Sequence, residues 1–158
     1  MTVAGPLAII DEVAHPFKRD NCRDQGCSVT IDPPKTQVAV IDCEAFKEAT
    51  RFPERLCDCV VVWRGTITRA YALELKSGAV RNAIEQIENG IRLLDKWLTD
   101  SAPVHDVLPT LVHKGGLSTN DVRILRQKRK VSFRGRDYPI LQLKCGQKLT
   151  DIGKSRHG

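Results

Sequence analysis

Two acids and a lysine stand in the stretch CDCVVVWRGTITRAYALELKSG (residues 57–78), whose other residues are mostly apolar. Its composition predicts two strands, about 57–63 and 67–76, joined by a turn that contains glycine. Side chains two residues apart in a strand share a face. Glu74 and Lys76 are therefore expected to point the same way, away from the apolar side.

A turn centred on Thr66 would place Asp58 directly opposite Glu74, with their Cβ atoms about 5 Å apart. Two adjacent carboxylates repel each other and destabilise a sheet, and a divalent cation removes that cost. Mg²⁺ prefers oxygen ligands from carboxylates, water and phosphate. A lysine nearby can contact a metal-bound water or a developing negative charge. The pattern predicts metal-assisted phosphodiester hydrolysis; the alternative is an ordinary solvated strand face.

The segments around this hairpin predict one α/β or α+β domain. They are, in chain order, a strand at 36–42, a helix at 43–52, the two strands, a long amphipathic helix at 79–100, a strand at 105–113, a helix at 117–130 and a hairpin at 131–145. Asp42 is the expected N-cap of the first helix. Pro109 predicts that its strand lies at a sheet edge or carries a bulge. Residues 5–35 predict no clear element.

Positive charge is concentrated in the C-terminal part of the chain. Residues 114–158 contain 12 Lys and Arg against 3 Asp, whereas residues 1–113 contain 13 basic and 16 acidic residues. This asymmetry predicts a polyanionic partner, and its alternative is a solvated surface. The expected nucleic-acid contacts are Lys128, Arg129, Lys130, Arg134 and Arg136. The start of the long helix, at 76–82, could also present backbone amides to a phosphate.

Six cysteines occur without a CxxC pair, so the zinc-ribbon pattern is absent. The sequence lacks the basic and apolar regions of a secretory signal and an apolar run long enough to span a membrane. These features predict a cytoplasmic protein with reduced thiols and no membrane partner. Cys22 and Cys27 could alternatively hold a metal or form disulfides with help from elsewhere in the chain.

Around Asp58 and the triplet Glu74-Leu75-Lys76, the sequence resembles the PD-(D/E)XK nuclease superfamily. The family has a restriction-endonuclease-like α/β core of a helix, a three-stranded meander, a second helix and a further strand. Its motif is an acid on the second core strand and (D/E)-x-K on the third. The resemblance covers about residues 36–113. Residues 1–158 would then form a single nuclease domain, in which about 114–158 are a basic C-terminal extension with a helix and a hairpin.

The resemblance implies a role for each motif residue. Asp58, Glu74 and the backbone carbonyl of Leu75 would bind Mg²⁺ or Mn²⁺, and Lys76 would position or deprotonate the attacking water.

Two further residues are implied by family members that carry additional catalytic groups. A glutamate on the first core helix would be Glu44 or Glu48, of which we favour Glu48. A glutamine on the helix after the motif would be Gln86, although the tyrosine that accompanies it in RecB-type members is replaced by Gly90.

The implied function is a metal-dependent nuclease, most simply a DNA endonuclease of a prokaryote or virus, with a homodimer as one expectation. Its size and charge resemble small Holliday-junction resolvases. Three alternatives stay open: a nucleic-acid-binding module that does not cleave, an RNA-directed nuclease, and a basic structural protein with a fortuitous motif.

Overall fold

The computed structural model describes residues 18–19, 21–24, 26–31, 38–64, 68–75, 79–98, 106–115 and 117–149. Three helices lie in these residues: α1 (Cys43–Thr50), α2 (Val80–Leu98) and α3 (Thr119–Gln127). The strands are β1 (Lys18–Arg19), β2 (Cys22–Asp24), β3 (Cys27–Val29), β4 (Val38–Asp42), β5 (Cys59–Arg64), β6 (Thr68–Leu75), β7 (Asp106–His113), β8 (Lys130–Phe133), β9 (Arg136–Pro139) and β10 (Leu141–Lys144).

The protein is mixed α/β, built on a six-stranded sheet of order β1-β4-β5-β6-β7-β10. Strands β4, β5 and β6 form an antiparallel meander. Helix α2 then crosses over, and β7 pairs parallel to β6. Strand β10 pairs parallel to β7. The two predicted strands and the long helix are therefore confirmed, and the strand expected at 36–42 is β4.

The predicted register of the central hairpin is confirmed. Cys59 pairs with Leu73, and Trp63 pairs with Arg69. One further step along this register places Asp58 opposite Glu74.

Hydrophobic cores lie on both faces of the sheet. One face is covered by α1, α2, α3 and the β8–β9 hairpin, which pack on residues such as Val60 and Ala72. The other face is covered by β2 and β3, which pack on residues such as Val61 and Leu73. Burial on both faces explains why the central strands are continuous apolar runs rather than alternating ones.

Helix α1 begins as predicted, because the Asp42 side chain accepts hydrogen bonds from the backbone amides of Glu44 and Ala45 at 3.0 and 3.1 Å. Its position in the chain differs from the implied core. The helix connects β4 to β5, so it lies inside the meander rather than before it.

The prediction that the strand with Pro109 lies at an edge or carries a bulge is wrong as to the edge. Strand β7 runs between β6 and β10, and Pro109 pairs with Ala72 in a continuous register. The edge position belongs to β10, which comes from much further along the chain. A local proline signal cannot reveal a partner strand of that kind.

The segment at 131–145 contains the expected hairpin and one additional strand. The turn of β8–β9 lies at Arg134 and Gly135, which have φ values of 50° and 79°. The residues after Pro139 leave the hairpin and enter the main sheet as β10. The described residues 117–149 of the basic C-terminal part thus contribute to the sheet and its cores.

The expectation of reduced thiols is wrong for four of the six cysteines. Cys22 is bonded to Cys59 and Cys27 to Cys145. The first bond joins the small β2–β3 hairpin to β5, and the second joins it to the residue that follows β10, across 37 and 118 residues of sequence. Pairing over such distances cannot be read from sequence spacing.

Among the described residues, no helix is both long enough and apolar enough to cross a membrane.

Gly90 lies in the middle of α2, where glycine normally weakens a helix. A Cβ built at this position would lie 2.5 Å from the Cys57 Sγ atom. The glycine therefore allows α2 to approach the segment that leads into Asp58.

We expect Gly90→Ala to destabilise the fold by about 1–3 kcal/mol, because overpacking outweighs the gain of about 1 kcal/mol in helix propensity. Urea unfolding will measure the change. In the double variant Cys57→Ala/Gly90→Ala, the second alanine should cost less than in the wild-type background. Equal costs in both backgrounds would show that the Cys57 contact is not the reason for the glycine.

Candidate active site

Asp58 and Glu74 are joined by two reciprocal hydrogen bonds at the end of the β5–β6 pair. The backbone amide of Asp58 donates to Glu74 Oε1 at 3.1 Å, and the backbone amide of Leu75 donates to Asp58 Oδ2 at 2.7 Å. Each carboxyl thus bonds to the backbone of the opposite segment. The two acidic side chains are held close together by the same bonds that close the end of the hairpin.

The Asp58 main chain is fixed from a third direction. Its carbonyl accepts a hydrogen bond from the backbone amide of Cys43, the first residue of α1, at 3.2 Å. The segment just before it is bound to α2. Gln86 Nε2 donates to the Leu56 carbonyl at 3.2 Å, and Asn89 Nδ2 donates to the Arg55 carbonyl at 2.7 Å. Both helices therefore set the position of Asp58 at the entrance to β5.

Glu74 is a buried acid, with only 6% of its surface exposed. Its pKa is raised from 4.5 to about 10, first by burial and then by the negative charge of Asp58. At neutral pH the Glu74 carboxyl is consequently protonated and neutral. A cation bound between the two groups would displace that proton, because it supplies the positive charge that the buried carboxylate lacks.

A neighbouring buried thiol adds no charge to the site. Cys57 hydrogen-bonds with Cys43, and this bond, together with burial, raises the pKa of the Cys57 thiol well above 9.0. The thiol is therefore neutral at physiological pH.

A pocket of about 410 Å³ adjoins Asp58. It is lined by Arg19, Asn21, Arg23, Asp42, Glu44, Asp58 and Cys59. Arg19 Nε donates to Asp42 Oδ2 at 3.1 Å, so this arginine is paired within the pocket wall. The pocket carries both signs of charge, because its lining includes three acids and two arginines.

The glutamate of α1 that lies at this pocket is Glu44, not Glu48. Glu44 is exposed and lines the pocket with Asp58, whereas Glu48 is exposed and is not part of its wall. The position of the pocket favours Glu44 over Glu48, and the catalytic role of a glutamate on α1 stays a prediction. The two positions are one helical turn apart, and the pocket lies at the N-terminal turn, beside the cap residue Asp42.

Gln86 is half-buried and contacts the backbone two residues before Asp58. Its observed partner is a carbonyl, which gives it a positioning role for that acid. Leu75 contributes its backbone amide to Asp58, and its side chain is buried. Lys76 lies outside the described residues.

The five predicted nucleic-acid contacts are exposed but do not line the pocket at Asp58. Lys128 pairs with Glu88 at 3.1 Å. Arg134 and Arg136 lie over the rings of Phe133 and Tyr138, at 5.0 and 5.6 Å from their centroids.

The other two residues of this basic group are also on the surface. Arg129 Nε donates to the Arg126 carbonyl at 2.9 Å, and Lys130 begins β8. The group forms a basic surface on the end of α3 and the β8–β9 hairpin.

The expected phosphate site at the start of α2 is partly occupied by the protein itself. The Val80 amide donates to Asp121 Oδ1 at 3.4 Å, and Asp121 is buried. This carboxylate, from the first turn of α3, interacts favourably with the positive end of the α2 dipole. A phosphate bound at this helix end would therefore gain less stabilisation from the helix dipole.

Sequence reasoning missed Arg19, Asn21 and Arg23, because residues 5–35 predicted no element. The available signal was the run of basic and amide residues on both sides of Cys22. That signal becomes informative only once Cys22 is known to be bonded to Cys59, the neighbour of Asp58.

Comparisons of the chain with protein-family models, with curated proteins and with solved structures find no match. The function must therefore be inferred from the site itself.

Replacing Glu74 with glutamine should remove a pH dependence from the stability of the metal-free protein. The folded-state pKa of Glu74 is about 10, whereas its ordinary value is 4.5, so between these values the unfolded state binds fewer protons. Wild-type stability should then fall as pH rises through this window, by up to ~1.4 kcal/mol per pH unit.

The Glu74→Gln variant should lack this contribution and be the more stable protein at pH 8. Urea unfolding between pH 5 and pH 9 will test this, with the exposed Glu48→Gln as the control that follows wild type. Parallel curves for wild type and Glu74→Gln would contradict the raised pKa.

Proposed function

We propose that this protein is a metal-dependent nuclease that hydrolyses phosphodiester bonds, with DNA as its main substrate and Mg²⁺ or Mn²⁺ as its cofactor. The observation that carries the proposal is the buried carboxyl of Glu74, held against Asp58 by reciprocal hydrogen bonds. A fold gains nothing from two acids in this arrangement unless a cation or proton is bound between them. Acidic residues with shifted pKa values beside a pocket are typical of functional sites.

The donor set suits a hard divalent cation. Among the described residues, no group of three or more His, Cys, Asp or Glu side chains could hold a metal ion. Two carboxylates from Asp58 and Glu74 would supply part of an oxygen shell, and the Leu75 carbonyl, water and substrate phosphate would complete it. Mg²⁺ is commonly bound in this way, through one or two carboxylates and substrate phosphates.

The bound cation would supply a positive charge that stabilises a developing phosphorane and lowers the pKa of a coordinated water. The chain's own contribution is to hold the two acids in place through α1 and α2. Lys76 follows Leu75 by one residue, and in the proposed mechanism it positions the attacking water or helps to remove its proton. Attack on phosphorus would leave a 5′-phosphate and a 3′-hydroxyl, by resemblance to the nuclease family.

The connectivity also supports a restriction-endonuclease-like core. A three-stranded meander, a helix and a further parallel strand follow one another in the order β4, β5, β6, α2 and β7. Asp58 precedes the second meander strand, and Glu74 lies near the end of the third. The position of α1 within the meander is a departure from the family order.

The basic surface on α3 and the β8–β9 hairpin favours a nucleic acid as the substrate. Its arginines and lysines are exposed, and they can contact phosphates without reading the base sequence. A non-cleaving module on the same fold is the second candidate. The buried, protonated Glu74 argues against it, because binding phosphates does not require an acid held at a raised pKa.

Cleavage of labelled DNA and RNA in Mg²⁺, Mn²⁺ or EDTA will test the proposal. The substrates should be single strands, duplexes and four-way junctions. We expect metal-dependent cleavage that falls at least ~100-fold in Asp58→Asn, Glu74→Gln and Lys76→Ala, because each removes a group from the charge-stabilising set. Glu48→Gln, a matched acid outside the pocket, should cleave normally.

The Glu74→Gln variant separates loss of chemistry from loss of fold, because it should be more stable than wild type while being inactive. Equal cleavage by wild type and this variant would contradict the assignment of the reaction to the Asp58 and Glu74 site. Binding without cleavage under every condition would favour the non-cleaving module.

Gln86→Ala should weaken metal binding by about 10-fold, since residues that orient a ligand typically contribute 10- to 100-fold to affinity or activity. The loss would arise because the Leu56 carbonyl is released and Asp58 shifts. Calorimetric titration with Mn²⁺ will measure it, with the exposed Gln127→Ala as control. An unchanged Mn²⁺ affinity in Gln86→Ala would show that this hydrogen bond does not position the acid.

A further inference from the structure

The segment around β2 lies directly beside the paired acids. Cys22 of β2 is bonded to Cys59, with their Cα atoms 6.0 Å apart. Arg23 follows Cys22, and Asp58 precedes Cys59. Consecutive Cα atoms are about 3.8 Å apart, so the Cα atoms of Arg23 and Asp58 lie within about 14 Å of each other. Both residues line the same pocket.

Arg23 and its neighbour Arg19 differ in the ion pairs that they make among the described residues. Both line the pocket at Asp58, but Arg19 is bonded to Asp42. Arg23 is exposed and makes no ion pair within the described residues. It projects from the strand on the side opposite to the buried Cys22, as strand alternation requires. Asn21, half-buried in the same wall, adds an amide that can donate hydrogen bonds.

The charged residues of the pocket indicate which kind of ligand it can bind. Arg23 lines the pocket together with the acids Asp42, Glu44 and Asp58. With Asp42 neutralised by Arg19, a cation between Asp58 and Glu74 would leave the pocket able to accept an anion. A guanidinium group forms two parallel hydrogen bonds with a phosphate, a geometry that lysine cannot provide.

We propose that Arg23, assisted by Asn21, binds a backbone phosphate of the nucleic acid in the pocket beside Asp58, and that the Cys22–Cys59 disulfide holds it there. This proposal rests on the proposed nuclease function for the identity of the ligand. It assigns to the small β2–β3 hairpin the task of positioning the strand at the site. The basic surface on α3 and the β8–β9 hairpin would contact the same molecule elsewhere.

The test measures binding of a fluorescein-labelled DNA duplex by anisotropy in Mg²⁺, across a series of salt concentrations. All proteins carry Lys76→Ala, which should suppress cleavage while keeping both acids that would hold the cation. Arg23→Ala should weaken binding about 3- to 10-fold and reduce the slope of log K against log salt by about 0.9, the value for one phosphate contact on duplex DNA. Arg23→Lys should restore the slope but only part of the affinity.

The matched control is Arg123→Ala, which removes another exposed arginine that donates to Asn120 within α3. It should retain nearly all of the affinity. A second comparison tests the disulfide: Cys22→Ser/Cys59→Ser should weaken binding in the Arg23 protein and have no further effect in the Arg23→Ala protein. Equal affinity and slope for Arg23→Ala and Arg123→Ala would overturn the proposal.

The outcome is distinguishable from that of the nuclease proposal. If DNA binding depends on Arg23 but the wild-type protein never cleaves DNA, the phosphate site is supported and the nuclease proposal is rejected. If the wild-type protein cleaves DNA but its binding does not depend on Arg23, the nuclease proposal stands and the phosphate site is rejected. No DNA binding by the protein would reject the phosphate site.

Discussion

The contact between the Asp58 and Glu74 carboxyls is the constraint on which the arrangement of this protein depends. Two acids at the end of a buried hairpin repel each other when both are charged, so one must hold a proton or share a cation. The Glu74 carboxyl accepts a hydrogen bond from the Asp58 amide and the Asp58 carboxyl accepts one from the Leu75 amide, and these bonds close the β5–β6 pair where the ladder would otherwise end. The site and the end of the sheet are therefore one structure, and neither can be changed without the other.

The surrounding elements act on this pair mainly through Asp58. Helix α1 binds its carbonyl, α2 binds the two carbonyls just before it, and the disulfide from β2 fixes the residue after it. Gly90 belongs to the same set, because it permits α2 to lie against Cys57. Glycine would weaken an isolated helix, but at position 90 it allows α2 to pack closely against Cys57 near the site.

Local patterns in the sequence predicted the parts of the fold that depend on local physics. Strand alternation and a short turn were sufficient to place Asp58 opposite Glu74, and Asp42 was recognisable as a helix cap. Long-range pairing was not predictable. The disulfides, the central position of β7 and the pocket wall from β1 and β2 all depend on residues far apart in sequence. Glu44 and Glu48 were equivalent by helical spacing, and only the position of β5 distinguishes them.

The two disulfides interleave along the chain, since Cys27 lies between Cys22 and Cys59 and is itself bonded to Cys145. The β2–β3 hairpin is thereby fastened to the middle of the sheet and to the end of β10. During synthesis, the first bond can form once β5 has emerged. The second must wait for β10, which is made after every other strand in the described part of the chain. Oxidation of the hairpin is therefore completed only when the sheet itself is complete.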